Sequence, residues 1–234
     1  RRILGTVPVE EDGSASFRVP ANTPISVQPL DEQGKALQVM RSWFTGMPGE
    51  VLSCVGCHEH HSAATPNRRT MAAIDRPREI SPWFGPARGF SFQREVQPVI
   101  DLHCVVCHDG QPQLGGQVTL DLRGTQFIDD YDSRYHHGGQ DAGKFSVAYA
   151  NLQRFVRRPG LESDFHVLPP MDFHADTTQL VQMLEKGHYG VELNDEAWDR
   201  LITWIDLNAP YHGSWNTIAG EQRVGPLAQR RREM

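Results

Sequence analysis

The chain has 234 residues, 38% of them hydrophobic and 22% charged, which excludes a disordered or fibrous protein and leaves room for one large domain or two small ones. Its net charge of −6 argues against non-specific binding to nucleic acid, which needs a basic face; Arg230, Arg231 and Arg232 read as a solvated tail, and no apolar run approaches the roughly 18 residues of a membrane span. Gly 21 and Pro 16 predict long loops and modest regular structure.

The first residues, RRILGTVPV, carry neither a start methionine nor a signal-peptide pattern, and read as a processed chain or a fragment. Residues 1–48 predict β structure: VPVEEDGSASFRVP is two alternating runs joined through Asp12-Gly13, and ISVQPLDEQGKALQVM repeats the pattern around Gln33-Gly34. Ala15, Phe17 and Val19 alternate with Ser16 and Arg18, as a half-buried strand of a short β-sandwich-like segment would. Pro66, Pro77, Pro82 and Pro86 then break any helix and mark a linker. Phe92, Val96, Val99 and Ile100 lie at helical spacing ahead of Cys104. Residues 109–165 form a glycine-containing insertion in which GGQVTLDLRG predicts a hairpin. Asp176-Thr177-Thr178 caps a helix with Leu180, Val181, Met183 and Leu184 on one face, and Asn194-Asp195 opens another with Trp198, Leu201, Ile202 and Ile205 as its apolar stripe. The expected class is α+β: a β-rich domain with linker over 1–88, a mainly helical domain over 89–215, and a tail over 216–234.

All four cysteines fall in two Cys-x-x-Cys-His motifs, Cys54-Val55-Gly56-Cys57-His58 and Cys104-Val105-Val106-Cys107-His108. This is the attachment pattern of c-type haem: two sulfurs add to the vinyl groups, and the adjacent histidine sits under the iron. The alternatives fit less well. Zinc ribbons place their pairs about 15–20 residues apart, whereas 46 residues separate Cys57 from Cys104. Two disulfides would not require a histidine after each pair, and no βαβ pattern supports a thioredoxin-like site. Two covalent haems are therefore expected, the first in the β-rich domain and the second in a cytochrome c domain. In the linker, Trp83 and Phe84 read either as core packing or as cover for a haem edge. Haem c is attached outside the cytoplasm, which implies a periplasmic or equivalent compartment.

The axial ligands decide the chemistry. His58 and His108 are the proximal ligands. For the second iron the distal candidates include Met171, which follows Pro169-Pro170, the histidines His136, His137, His166, His174 and His212, and His188, set in a turn between the two late helices. Near the first iron, His60 and His61 follow the motif too closely to reach the opposite haem face; they are candidates to ligate a second metal, line the pocket or replace His58, or are solvated loop residues.

MRSWFTGMPGEVLSCVGCHE with the β-rich run before it, and LPPMDFHADTTQLVQMLEKGHYGVELNDEAWDRLITWIDLNAPYHG, resemble the middle and C-terminal cytochrome domains of the hydrazine synthase alpha-subunit family. The resemblance covers most of residues 3–215, lacks the β-propeller that precedes these domains, and suggests a fragment or a shorter, planctomycete-type dihaem relative. It implies a bis-histidine second haem with His188 as distal ligand. For the first haem it implies the site of hydrazine formation, with iron bound by a tyrosine four residues after the motif histidine and that histidine on zinc. Ser62 occupies the tyrosine position here, so that ligand is absent.

Three function classes follow. The first, adopted here, is a dihaem cytochrome for periplasmic electron transfer. The second is a redox enzyme whose open first haem acts on peroxide or a small nitrogen compound, fed by the second. The third is an interaction module within a larger multihaem assembly. The expected partners are redox proteins, a multihaem complex or a second copy of the chain.

Overall fold

The computed structural model describes residues 1–40, 42–56, 69–128, 145–160 and 168–233. The helix expected before Cys104 forms, and its first turn is unusual. Phe92–Val96 winds as a π-helical turn and continues as α1, Gln97–His103, with Pro98 at the second position of α1, where its fixed φ suits the helix. The helices α2, Val147–Gln153, and α3, Gln179–Glu185, follow, the latter behind a 3-10 turn at Ala175–Thr177. Then comes α4, Asp195–Asp206, which starts as its sequence predicts: the Asn194 side chain accepts from the Ala197 N–H at 2.8 Å. Two further helices, α5 at Trp215–Ala219 and α6 at Glu221–Glu233, close the chain described.

The core lies where α4 crosses the 92–96 turn and α1. Leu201, Ile202 and Ile205 from the predicted stripe are buried in it with Val96, Ile100, Leu180 and Val181. An aromatic cluster fills its centre. Phe92 lies 5.2 Å from both Tyr149 and Trp204, and Tyr149 lies 4.8 Å from Tyr211. Their polar ends are satisfied: the Tyr149 hydroxyl donates to the Ala209 carbonyl and the Trp204 indole to the Pro210 carbonyl. Beside this cluster Glu95 is 1% exposed, held by Arg88, Arg94 and Arg200. Trp83 packs against the core and donates to Asp199 at 2.8 Å.

The β-sandwich-like segment expected over 1–48 does not form. Among the described residues the extended segments meet only in isolated bridges: Arg2 with Gly89, Thr6 with Ser81, Phe17 with Arg78, Ile25 with Phe44 and Leu30 with Ala36. Both predicted turns are present. The Gly13 N–H donates to the Glu10 carbonyl, and the Gly34 N–H to the Asp31 carbonyl. The ladders beyond the turns are missing for two physical reasons. Pro8, Pro20, Pro24 and Pro29 bring no N–H to a ladder. The alternating residues also have no second layer to cover them: Ala15 is exposed, and Phe17 and Val19 are only partly buried. Among the described residues of this segment, the buried side chains are instead those of Ile25, Lys35, Ala36 and Gln38. The class is thus helix and loop rather than α+β. The predicted 115–124 hairpin is similarly reduced to two bridges, Asp109 with Asp121 and Pro112 with Val118.

Candidate functional site

The second Cys-x-x-Cys-His motif is wound by the end of α1. Cys104 caps the helix, its N–H donating to the Ile100 carbonyl at 2.8 Å, and the Cys107 and His108 N–H groups both donate back to the Cys104 carbonyl. Both sulfurs and the imidazole therefore leave one tight turn. Cys104 is partly buried against the core, and burial, then the neighbouring Cys107, pushes its thiol up to about 11, so it is neutral at physiological pH. Cys107 is exposed, and both thiols are free.

The bridged loop after the motif fixes its carbonyls. The Thr119 hydroxyl (2.6 Å) and the Gln113 amide (3.2 Å) donate to the Cys107 carbonyl, and the Leu122 N–H donates to the His108 carbonyl at 2.9 Å. His108 itself is partly buried, and its Nδ1 is buried without a hydrogen-bond partner. Burial, then the charge of His188, lowers its pKa, which favours the neutral ring.

Among the distal candidates in the described residues, the fold brings His188 to His108. Their ring centroids lie 6.0 Å apart with planes inclined by 24°. His188 sits in the predicted turn after α3, between Gly187 (φ 93°) and Tyr189 (φ 49°), whose ring meets it edge-on at 4.9 Å. Met171 is 53% exposed in a left-handed turn, with its N–H on the Leu37 carbonyl. His212 packs on Phe145 and Tyr211. His136, His137 and His166 lie outside the described residues, as do Cys57, His58, His60, His61 and Ser62; Cys54 is exposed. Among the described residues no group of three or more His, Cys, Asp or Glu side chains is placed to hold a bare metal ion.

A polar cluster absent from the sequence reading joins the 28–38 turn to the helices. Lys35 lies between Asp176 and Glu185. His174, one of the distal candidates, is instead buried with Nε2 2.9 Å from Asp31 and Nδ1 3.3 Å from Asp176. Asp206 accepts from the Ala36 N–H at 2.9 Å. Apart from His174 and Asp176, these partners lie more than a hundred positions apart in the chain, so no local pattern announces them.

Among known proteins, residues 1–59 match the family described as the hydrazine synthase alpha subunit middle domain. This span includes the first Cys-x-x-Cys-His motif. The chain is also 25% identical, over 284 aligned positions, to hydrazine synthase subunit alpha of Kuenenia stuttgartiensis, with 94% of this chain and 33% of that protein covered. It thus spans about a third of the length of the curated relative it matches. No solved structure matches it.

Proposed function

We propose, from the premise that this chain is a relative of the hydrazine synthase alpha subunit, that its helical part is an electron-relay site: a haem c joined to Cys104 and Cys107, with His108 and His188 as axial ligands. The observation that carries this reading is the 6.0 Å separation of the two imidazole rings. A metal between two imidazoles lies about 2 Å from each ring nitrogen, and each nitrogen about 1 Å from its ring centre, so the centres fall about 6 Å apart. The donor set suits the group. Burial keeps His108 neutral, the form that binds a metal, and a macrocycle brings the in-plane nitrogens that the protein does not provide.

Bound there, haem iron supplies a one-electron couple, lower with two histidines than with a methionine in one axial place. The chain's own residues do the rest. α1 and the Cys104 carbonyl set the turn that offers both sulfurs and the imidazole together. Thr119, Gln113 and Leu122 hold the Cys107 and His108 carbonyls. Leu102, Val106, Leu114 and Val118, on or near the motif, are left exposed, apolar surface that a flat apolar group would cover.

Cys54, Cys57 and His58 are proposed to carry the second covalent haem. Because haem c is attached outside the cytoplasm, the proposed compartment is periplasmic or equivalent. Among the described residues no helix is long and apolar enough to cross a membrane. The matched relative is by name a synthase subunit, so the relay is proposed to serve a hydrazine-synthase-like redox assembly with partner proteins.

The test is His188→Ala in the haem-loaded protein. The second haem is expected to change from low-spin to high-spin in its ferric absorption spectrum. An unchanged spectrum overturns the assignment and returns the distal place to Met171 or to the 136–137 pair.

A further inference from the structure

Lys35 is 6% exposed, and lysines are almost never so buried unless paired. Its ammonium lies between two carboxylates, Asp176 on the 3-10 turn ahead of α3 and Glu185, the last residue of α3, the latter at 2.7 Å. One side chain therefore ties both ends of that helix.

The turn that carries Lys35 is firmly seated. The Ala36 N–H donates to Asp206 of α4, the Leu37 carbonyl accepts from the Met171 N–H at 2.8 Å, and the Gln38 amide donates to the Leu168 carbonyl at 3.0 Å. Glu185 is poorly placed without a cation, because a carboxylate at a helix C-terminus faces the negative end of the dipole. Directly beyond it the chain turns through Lys186 and Gly187, whose N–H donates to the Leu184 carbonyl at 3.1 Å, and reaches His188. Where Glu185 is held decides where the His188 loop leaves the helix.

We infer that Lys35 is a positioning residue for His188: by anchoring both ends of α3 to the 28–38 turn, it holds the loop that presents His188 to His108. This rests on the bis-histidine reading above. It links a residue of the N-terminal segment to the ligand sphere of the iron in the helical part.

The experiment compares the haem-loaded parent chain with Lys35→Met, Lys35→Arg, Glu185→Gln and His188→Ala. Each is first checked for parental far-UV circular dichroism and haem content. The readouts are the ferric spectrum and its titration with imidazole, which binds the second iron only when His188 leaves it. His188→Ala defines the signal of the freed site. Lys35→Met is expected to show a fraction of that high-spin signal and to take up imidazole at roughly tenfold lower concentration than the parent. Lys35→Arg is expected to restore parental behaviour, since a generally destabilised fold would not recover with the charge. A folded Lys35→Met with the parental spectrum and parental imidazole response overturns the inference. Should that variant not fold, Glu185→Gln, at a half-exposed carboxylate, decides by the same readouts. If His188→Ala leaves the spectrum unchanged, the bis-histidine reading falls and the role of Lys35 with it; a changed His188→Ala beside an unchanged Lys35→Met removes the role of Lys35 alone.

Discussion

Asp206 is 4% exposed at the end of α4, with one carboxylate oxygen on the Ala36 N–H and the other without a partner. Burial pushes its pKa up to about 7; the Ala36 hydrogen bond and His174 oppose the shift, while Asp31 and Asp199 add to it. The folded state thus binds a proton that the unfolded chain releases near pH 4. The stability Asp206 contributes is complete below about pH 4 and is lost as pH rises through about 7, on the order of 4 kcal/mol at most. Asp31 acts in the opposite sense. Burial opposes its ionisation, but the Lys35 N–H, His174 and the Gln33 N–H together lower its pKa, so its contribution is lost on acidification. Asp206→Asn keeps an acceptor for Ala36 and removes the titration. The stability difference between parent and variant, from denaturant unfolding at a series of pH values, is expected to fall steadily between about pH 4 and pH 7. A difference that does not vary with pH would show that Asp206 ionises normally.

Among the elements, the extended run into the 92–96 turn is squeezed between two parts of the chain. The Phe90 N–H donates to the Arg1 carbonyl and the Phe92 N–H to the Tyr211 carbonyl. Just before them Gly89 faces Gly213 so closely that a Cβ at Gly89 would meet the Gly213 carbonyl oxygen at 1.9 Å. Gly89→Ala must therefore move backbone, and a loss of about 3 kcal/mol is expected in denaturant unfolding. Gly46→Ala, where the nearest atoms lie at 3.5 Å or beyond in flexible side chains, is expected to stay within about 0.5 kcal/mol of the parent. Equal effects would mean that the close approach is not constrained. Neither glycine stands out in the sequence, because the approach joins segments more than a hundred positions apart. The helices were legible for the converse reason. The 92–100 stripe, the α4 stripe and the Asn194 cap are all set by neighbours within two turns. The β expectation over 1–48 failed at this scale: alternation and turn residues describe a chain able to pair, and the two turns do form, but pairing also needs unbroken N–H donors and a covering layer, and the proline-rich segment has neither.

For the whole molecule, the two motifs predict two covalent haems per chain. Haem quantified against protein is expected at a ratio of two, falling to one when Cys104 and Cys107 are both replaced by serine. A ratio of two that survives this exchange would remove the second attachment site from the proposal. The 28–38 turn joins the segment before the first motif to the helices around the second through Lys35, Ala36, Leu37 and Gln38. The two parts of the chain thus share a buried polar seam in addition to the bridges from Arg2, Thr6 and Phe17 to the 78–89 run.

The sequence by itself determined the two Cys-x-x-Cys-His motifs, the helix that leads into the second, the capped helix after Asn194 and the turn that carries His188, because each depends on residues a few positions apart. It also carries a pattern similar to that of the hydrazine synthase alpha subunit, in the middle-domain match over residues 1–59 and in 25% identity to the Kuenenia stuttgartiensis protein. Only the tertiary structure brings His188, among the described candidates, near His108. Met171 and His188 both follow plausible local signals, and their positions differ only once α3, α4 and the 28–38 turn are packed. The same packing decided that Lys35, His174 and Asp206 are buried partners rather than surface groups. Burial and charge pairing across such separations are properties of the folded contacts, which no local spacing encodes.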